Sequence, residues 1–132
     1  MSHRRPLGFL FGLMVLVCPA YGLFAAKRSF GEQEFVLTPS QAEDLAGQAL
    51  DGSGDSALRL SRFYSNVTVN LDESLKWAII GAENGDANCA FTAYALLRAR
   101  VSPDDRRRAR FWLRRAAEQG YKPAVDALNS SS

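Results

Sequence analysis

Few side chains in this chain can do covalent chemistry. Its 132 residues include two cysteines and one histidine. The histidine is His3, at the extreme N-terminus, and Cys18 stands in an apolar run, far along the chain from Cys89. From these residues no Ser-His-Asp set, zinc cluster or intramolecular disulfide can be assembled, and no phosphate-binding glycine loop exists. Glu83 and Glu118 have the look of an acid–base pair. They recur 35 residues apart, each two residues before a glycine, so they read as structural. Cys89 reads as a small buried side chain rather than a reactive thiol. The expectation is a protein that is not an enzyme, with no catalytic residues, no cofactor, no metal and no small-molecule substrate.

Charge is the more informative chemistry. The net charge of +2 is too small to argue for nucleic acid. Its distribution is uneven. Residues 27–97 carry five Lys/Arg against ten Asp/Glu, whereas residues 98–132 carry nine against four. Arg107, Arg110 and Arg114 would lie on adjacent turns of one helix, as would Arg108 and Arg115. A solvated helix face accounts for this basic run. Its functional alternative is an acidic protein partner or an anionic membrane surface.

The elements that position these residues begin with an uncharged stretch. Residues 7–26 carry no charge; Arg4 and Arg5 precede them, and Lys27 and Arg28 follow. Two readings stay open for 1–26. A signal peptide would have its core at Leu7–Val17, a break at Pro19 and cleavage after Gly22. A signal anchor would use all twenty residues to cross roughly 30 Å of hydrocarbon. Either exports the remainder. Residues 27–37 read as a tether. Thr38-Pro39-Ser40-Gln41 has the form of a capping box with proline in the first turn, opening a helix over 38–51 that would cap the domain.

Two helical hairpins then follow. The first spans 52–85: a helix from about Asp55 to Ser65, a turn at Asn66–Asn70, and a helix from Leu71 that stops at Gly85. The second spans 86–120: a helix to about Ala99, then Ser102 and Pro103 opening a helix that stops at Gly120. Residues 121–132 hold a last short helix and a polar tail.

The hairpins share a phrase. Trp77-Ala78-Ile79-Ile80-Gly81-Ala82-Glu83-Asn84-Gly85 aligns with Trp112-Leu113-Arg114-Arg115-Ala116-Ala117-Glu118-Gln119-Gly120 at an offset of 35 residues. A period of this length indicates a stacked helical-hairpin array. Small residues at Gly81, Ala82, Ala116 and Ala117 would let helices approach closely, and Trp77 and Trp112 would fill the wedge between hairpins. With Ser74 and Ala109 ahead of them, these positions resemble the Sel1-like repeat family, a relative of the tetratricopeptide repeats. The first helix of each unit matches more loosely, through Ser56, Leu60, Ser61 and Tyr64, then Cys89, Ala93, Tyr94 and Leu97. Two departures stand out. The Gly-x-Gly that links the two helices in the family is missing, and Tyr94 stands where the family prefers glycine, which predicts a wider helix separation there.

The resemblance implies an all-α fold, a short αα-hairpin solenoid of two Sel1-like repeats with capping helices behind an N-terminal export or anchor segment. It also implies protein–protein interaction in a bacterial cell envelope, periplasmic if the leader is cleaved and on the periplasmic face of the inner membrane if it is retained. Small exported proteins of this kind include immunity proteins against secreted toxic effectors, phospholipases among them; others are envelope adaptors or regulators. Under this reading the first helices of the hairpins form the concave docking face, with Arg59, Arg62, Tyr64, Phe91, Tyr94 and Arg98 as partner-binding candidates. The rival is a membrane-surface structural protein held by the basic face of Arg107, Arg110, Arg114 and Arg115.

Overall fold

The computed structural model describes residues 36–130. The export or anchor segment and most of the expected tether lie outside them. Six helices follow in order: α1 (Pro39–Leu50), α2 (Gly54–Asn66), α3 (Leu71–Glu83), α4 (Ala87–Arg98), α5 (Pro103–Glu118) and α6 (Lys122–Asn129). The described residues contain no strand, and none of their helices is long and apolar enough to cross a membrane. Each helix packs on the next along the chain.

The helix starts obey local chemistry. Thr38 Oγ1 accepts from the Gln41 amide at 3.2 Å, and Gln41 Oε1 accepts from the Thr38 amide at 2.9 Å, the reciprocal pair expected of a capping box. Ser53, Asn70, Asp86 and Ser102 cap α2 to α5 with side-chain oxygens.

One turn occurs three times. Gly52, Gly85 and Gly120 adopt φ of +111°, +92° and +77°, a region open to glycine and hostile to side chains. At each, the amide one residue later donates to a carbonyl five residues back: Ser53 to Gln48 at 2.9 Å, Asp86 to Gly81 at 3.0 Å, Tyr121 to Ala116 at 3.0 Å. The glycine amides donate to Ala49, Ala82 and Ala117. This is the Schellman closure of a helix. α1, expected only as a cap, therefore ends as α3 and α5 do, and the unit that recurs is a helix, this turn and the next helix. Its trace in the sequence is Ala-x-x-Gly at 49–52, 82–85 and 117–120. Asp44 stands in α1 where the tryptophan stands in α3 and α5, and that hides the relation.

The tryptophans explain the exception. Trp77 is buried with Leu37, Leu45, Ala49, Ala57 and Leu60, so it packs back onto α1 and α2. Trp112 packs with Leu75, Ala78, Ala82, Ala90 and Ala93 of α3 and α4. Each ring fastens its unit to the one before. Among the described residues α1 has no preceding unit, and an exposed Asp44 is tolerated there. Both indole Nε1 groups are buried without an acceptor. An orphaned donor costs about 1–3 kcal/mol. Burying ~200 Å² of ring at ~25 cal/mol per Å² contributes about 5 kcal/mol, so stacking wins.

The two helix-to-helix loops without glycine differ from these turns. In Val67–Asn70 the left-handed residue is Val69, at φ +53°. α5 has 16 residues where α3 has 13, one extra turn ahead of its tryptophan. The Tyr94 ring does not lie buried between the helices. Ala93 is the buried residue, and Tyr94 packs against the core from its margin.

Close approach is tightest at Gly81. A Cβ built there would meet Cys89 Sγ at 2.3 Å and Ala57 Cβ at 3.0 Å. The same two positions hold Gln48 and Ser56 in the first unit, joined by a 2.8 Å hydrogen bond, and Ala116 and Ala124 in the last. Gly81→Ala is therefore expected to destabilise the fold by about 1–3 kcal/mol. The double variant Gly81→Ala/Cys89→Ala removes the Sγ contact but keeps the Cβ of residue 89 at 2.9 Å, so it should recover only part of that loss in denaturant melts. Equal losses in the single and double variants would refute the contact.

Candidate interaction surface

Three of the six docking candidates form a row with a residue the sequence reading missed. On α4, the Phe91 and Tyr94 rings lie 5.4 Å apart, centroid to centroid. Phe91 also meets Tyr121 at 5.3 Å. Arg98 Nη1 donates to Tyr94 Oη at 2.9 Å, and its guanidinium lies 5.4 Å from that ring. Tyr121 Oη reaches Asn88 Oδ1 at 3.4 Å. Phe91, Tyr94 and Arg98 share a face because they stand three and four residues apart on one helix. Tyr121 comes from the third glycine turn, so only the tertiary fold adds it. The three rings are half-buried and Arg98 is exposed. The row runs Tyr121, Phe91, Tyr94, Arg98.

The other three candidates lie elsewhere. Arg59 lines a shallow cleft of ≈ 180 Å³ with Gln41, Asp44, Leu45 and Gln48 of α1. Tyr64 stacks edge-on with Phe63 at 5.2 Å and packs on the cluster formed by α1, α2 and Trp77. Arg62, half-buried on α2, lies close enough to Cys89 to favour its thiolate weakly.

On α5, Arg107, Arg110, Arg114 and Arg115 are exposed, and none has a carboxylate partner among the described residues. Arg108 differs from them. Its guanidinium lies 5.0 Å from the Phe111 ring and 5.4 Å from the Trp112 ring, so it covers the core instead of joining the free basic face. Lys76 covers Trp77 in the same way, at 5.0 Å.

The repeat positions lie where stacking needs them. Trp77, Gly81, Ala82, Trp112 and Ala116 are buried, Ala117 is half-buried, and Gly85 and Gly120 form turns. Glu83 and Glu118 are exposed near helix ends. Among the described residues no group of three His, Cys, Asp or Glu side chains could hold a metal ion. Comparison with protein-family models, with curated proteins and with solved structures finds no match to this chain.

Cys89 is fully buried. Its amide donates to Asp86 Oδ1 at 2.6 Å, and its Sγ contacts the Gly54 carbonyl at 3.6 Å. Burial first, then the Asp86 carboxylate, pushes the thiol pKa far above its ordinary value of 9.0. Below pH 9 both folded and unfolded chains carry the neutral thiol. Above it the unfolded chain ionises while the folded one does not, so this group erodes stability as pH rises. Chemical denaturation of wild type and Cys89→Ala should show a stability difference that is constant below pH 9 and shifts in favour of the variant above it. Alkylation of Cys89 in the native protein should proceed only as fast as the fold opens.

Proposed function

We propose that the chain is a non-catalytic protein-binding module of the Sel1-like type, exported to a bacterial cell envelope. The row of Tyr121, Phe91, Tyr94 and Arg98 is its docking surface. The row itself carries the reading. Tyr, Phe and Arg are the residue types enriched at protein interfaces, and here three half-buried rings are pinned by one another and end in an exposed guanidinium. Rings held in this way lose little side-chain freedom when a partner covers them. Within this class the sharper reading is an immunity protein against a secreted toxic effector such as a phospholipase; an envelope adaptor or regulator is the milder one. Both follow from the repeat pattern alone.

The unpaired arginines of α5 favour a second reading, a structural protein held flat on an anionic membrane by Arg107, Arg110, Arg114 and Arg115. Four unpartnered cations on one helix repel each other, and a partner or a headgroup layer relieves that.

The test is affinity capture by the full chain from envelope extracts, followed by a binding measurement with the recovered protein. Arg98→Glu should weaken that binding by about 2 kcal/mol, roughly thirtyfold, without lowering the melting temperature, and Tyr94→Ala should weaken it to a similar degree with a modest loss of stability from its core contacts. Arg59→Glu, in the separate cleft, should leave it unchanged. If the α5 charge reversals alone abolish capture, the docking surface is α5 and not the aromatic row; salt-dependent binding to anionic vesicles that the same reversals abolish would favour the membrane reading. Survival of cells expressing the effector encoded beside its gene, dependent on Tyr94 and Arg98, would establish immunity.

A further inference from the structure

Each tryptophan rests on a seat built by the unit before it. The seat uses the positions seven and three residues before the turn glycine, and five and eight after it. For Trp77 these are Leu45, Ala49, Ala57 and Leu60, and all are buried. For Trp112 they are Ala78, Ala82, Ala90 and Ala93, again all buried. The same count from Gly120 gives Leu113, Ala117, Val125 and Leu128. Both tryptophans of the sequence are already seated elsewhere, so none is left for this third set. Leu113 stays buried, but Ala117 and Val125 are only half-buried, and Leu128 packs on the core from its margin.

The rim of the third seat also departs from the other two. Ten residues before the first two glycines stand Ala42 and Leu75, and six before them stand Ala46 and Ile79. All four pack with the clusters around the tryptophans. On α5 the same positions are Arg110 and Arg114. Both are exposed, and neither has a carboxylate partner among the described residues. An apolar floor with a cationic rim stands where the first two units are apolar throughout.

We propose that this seat takes a helix of a partner protein that presents a tryptophan, with carboxylates three or four residues from it. The ring follows from the two occupied seats, which show what this set of positions holds. The helix follows as well, because Trp77 and Trp112 each arrive on one. The carboxylates follow from Arg110 and Arg114. Side chains three and four apart share a helix face with the ring, and covering either cation without a counter-charge is costly. A second copy answers less well. Its helix in the matching register is α1, which offers exposed Asp44 at the ring position and leaves the floor uncovered. A bilayer would pair the arginines, yet it gives no reason for the floor to keep the seat register. The seat belongs to α5 and α6, and none of its residues is in the aromatic row.

The test uses the full chain in mild detergent and a dye-labelled peptide copied from residues 71–85, the chain's own acidic tryptophan helix. A hydrocarbon staple across exposed positions 72 and 76 holds the peptide helical. Binding is read by fluorescence anisotropy. The peptide should bind, and Trp77→Ala within it should weaken binding about thirtyfold. Ile80→Glu in the peptide sets a second carboxylate three residues beyond the ring and should strengthen binding about threefold. Arg110→Glu/Arg114→Glu in the chain should turn that gain into a loss. Val125→Glu should block the seat. The arginine pair is exposed, so its variant tests the surface even where Val125→Glu lowers the melting temperature. Arg98→Glu should leave peptide binding unchanged, which keeps this surface distinct from the row. No peptide binding, or binding indifferent to Trp77→Ala and to Arg110→Glu/Arg114→Glu, would overturn the proposal. So would self-association of the chain that rises with concentration and is abolished by Asp44→Arg, which gives the seat to a second copy. Binding to phosphatidylglycerol vesicles that Arg110→Glu/Arg114→Glu abolishes, in the absence of peptide binding, would assign the arginines to a membrane instead.

Discussion

At Gly81 there is no room for one methyl group. Cys89 Sγ occupies the space where it would go, and Ala57 closes the other side. The glycine turn that follows folds α4 back so sharply that positions five residues before the turn's end and three after it must touch. The three units meet this demand differently: a polar side-chain pair at Gln48 and Ser56, a glycine against a thiol at Gly81 and Cys89, two alanines at Ala116 and Ala124. Close approach in turn brings the following helix near enough for the tryptophan of the next unit to reach back across it. The tryptophans fasten the stack, but the turns decide where there is something to fasten.

The helix boundaries are legible in the sequence because each is enforced by neighbours in the chain. Thr38 with Gln41, Ser102 with Pro103, and the three glycines need no tertiary partner to act. The kinship of α1 is harder to read. Its tryptophan position holds Asp44, and its close contact is a hydrogen bond between Gln48 and Ser56, so neither matches the apolar phrase downstream. The candidate surface is legible by halves. Phe91, Tyr94 and Arg98 share a face by helical spacing alone. Tyr121 lies 23 residues beyond Arg98, and only folding sets it beside Phe91. Arg59 is assigned to the same surface by register, yet it lines a separate cleft with Gln41, Asp44, Leu45 and Gln48 of α1. Arg108 looks like one more free arginine until Phe111 and Trp112 are seen beneath it.

Cys89 shows how position outweighs residue type. It is the one cysteine among the described residues, and in another setting it would be the obvious nucleophile. Here burial and the Asp86 carboxylate keep its proton on, and its small size is what the approach to Gly81 requires. The same holds for the carboxylates: Glu83 and Glu118 repeat with the turns and lie exposed near them, so their recurrence belongs to the architecture. The groups that do not repeat are the row of Tyr121, Phe91, Tyr94 and Arg98 and the arginines of α5.

The extra turn of α5 lies wholly ahead of Trp112, at the end away from the glycines. This asymmetry governs how such a chain can vary. The glycine end works like the spine of a comb: spacing there is locked by contact, and an inserted residue would throw every later tooth out of line. At the other end the teeth differ in length, and Trp77 and Trp112 keep their places whether they stand seven positions after the helix cap or ten. A lineage can lengthen, shorten or repaint that margin without disturbing the stack. Novelty has an open border on one side of this molecule and a closed one on the other.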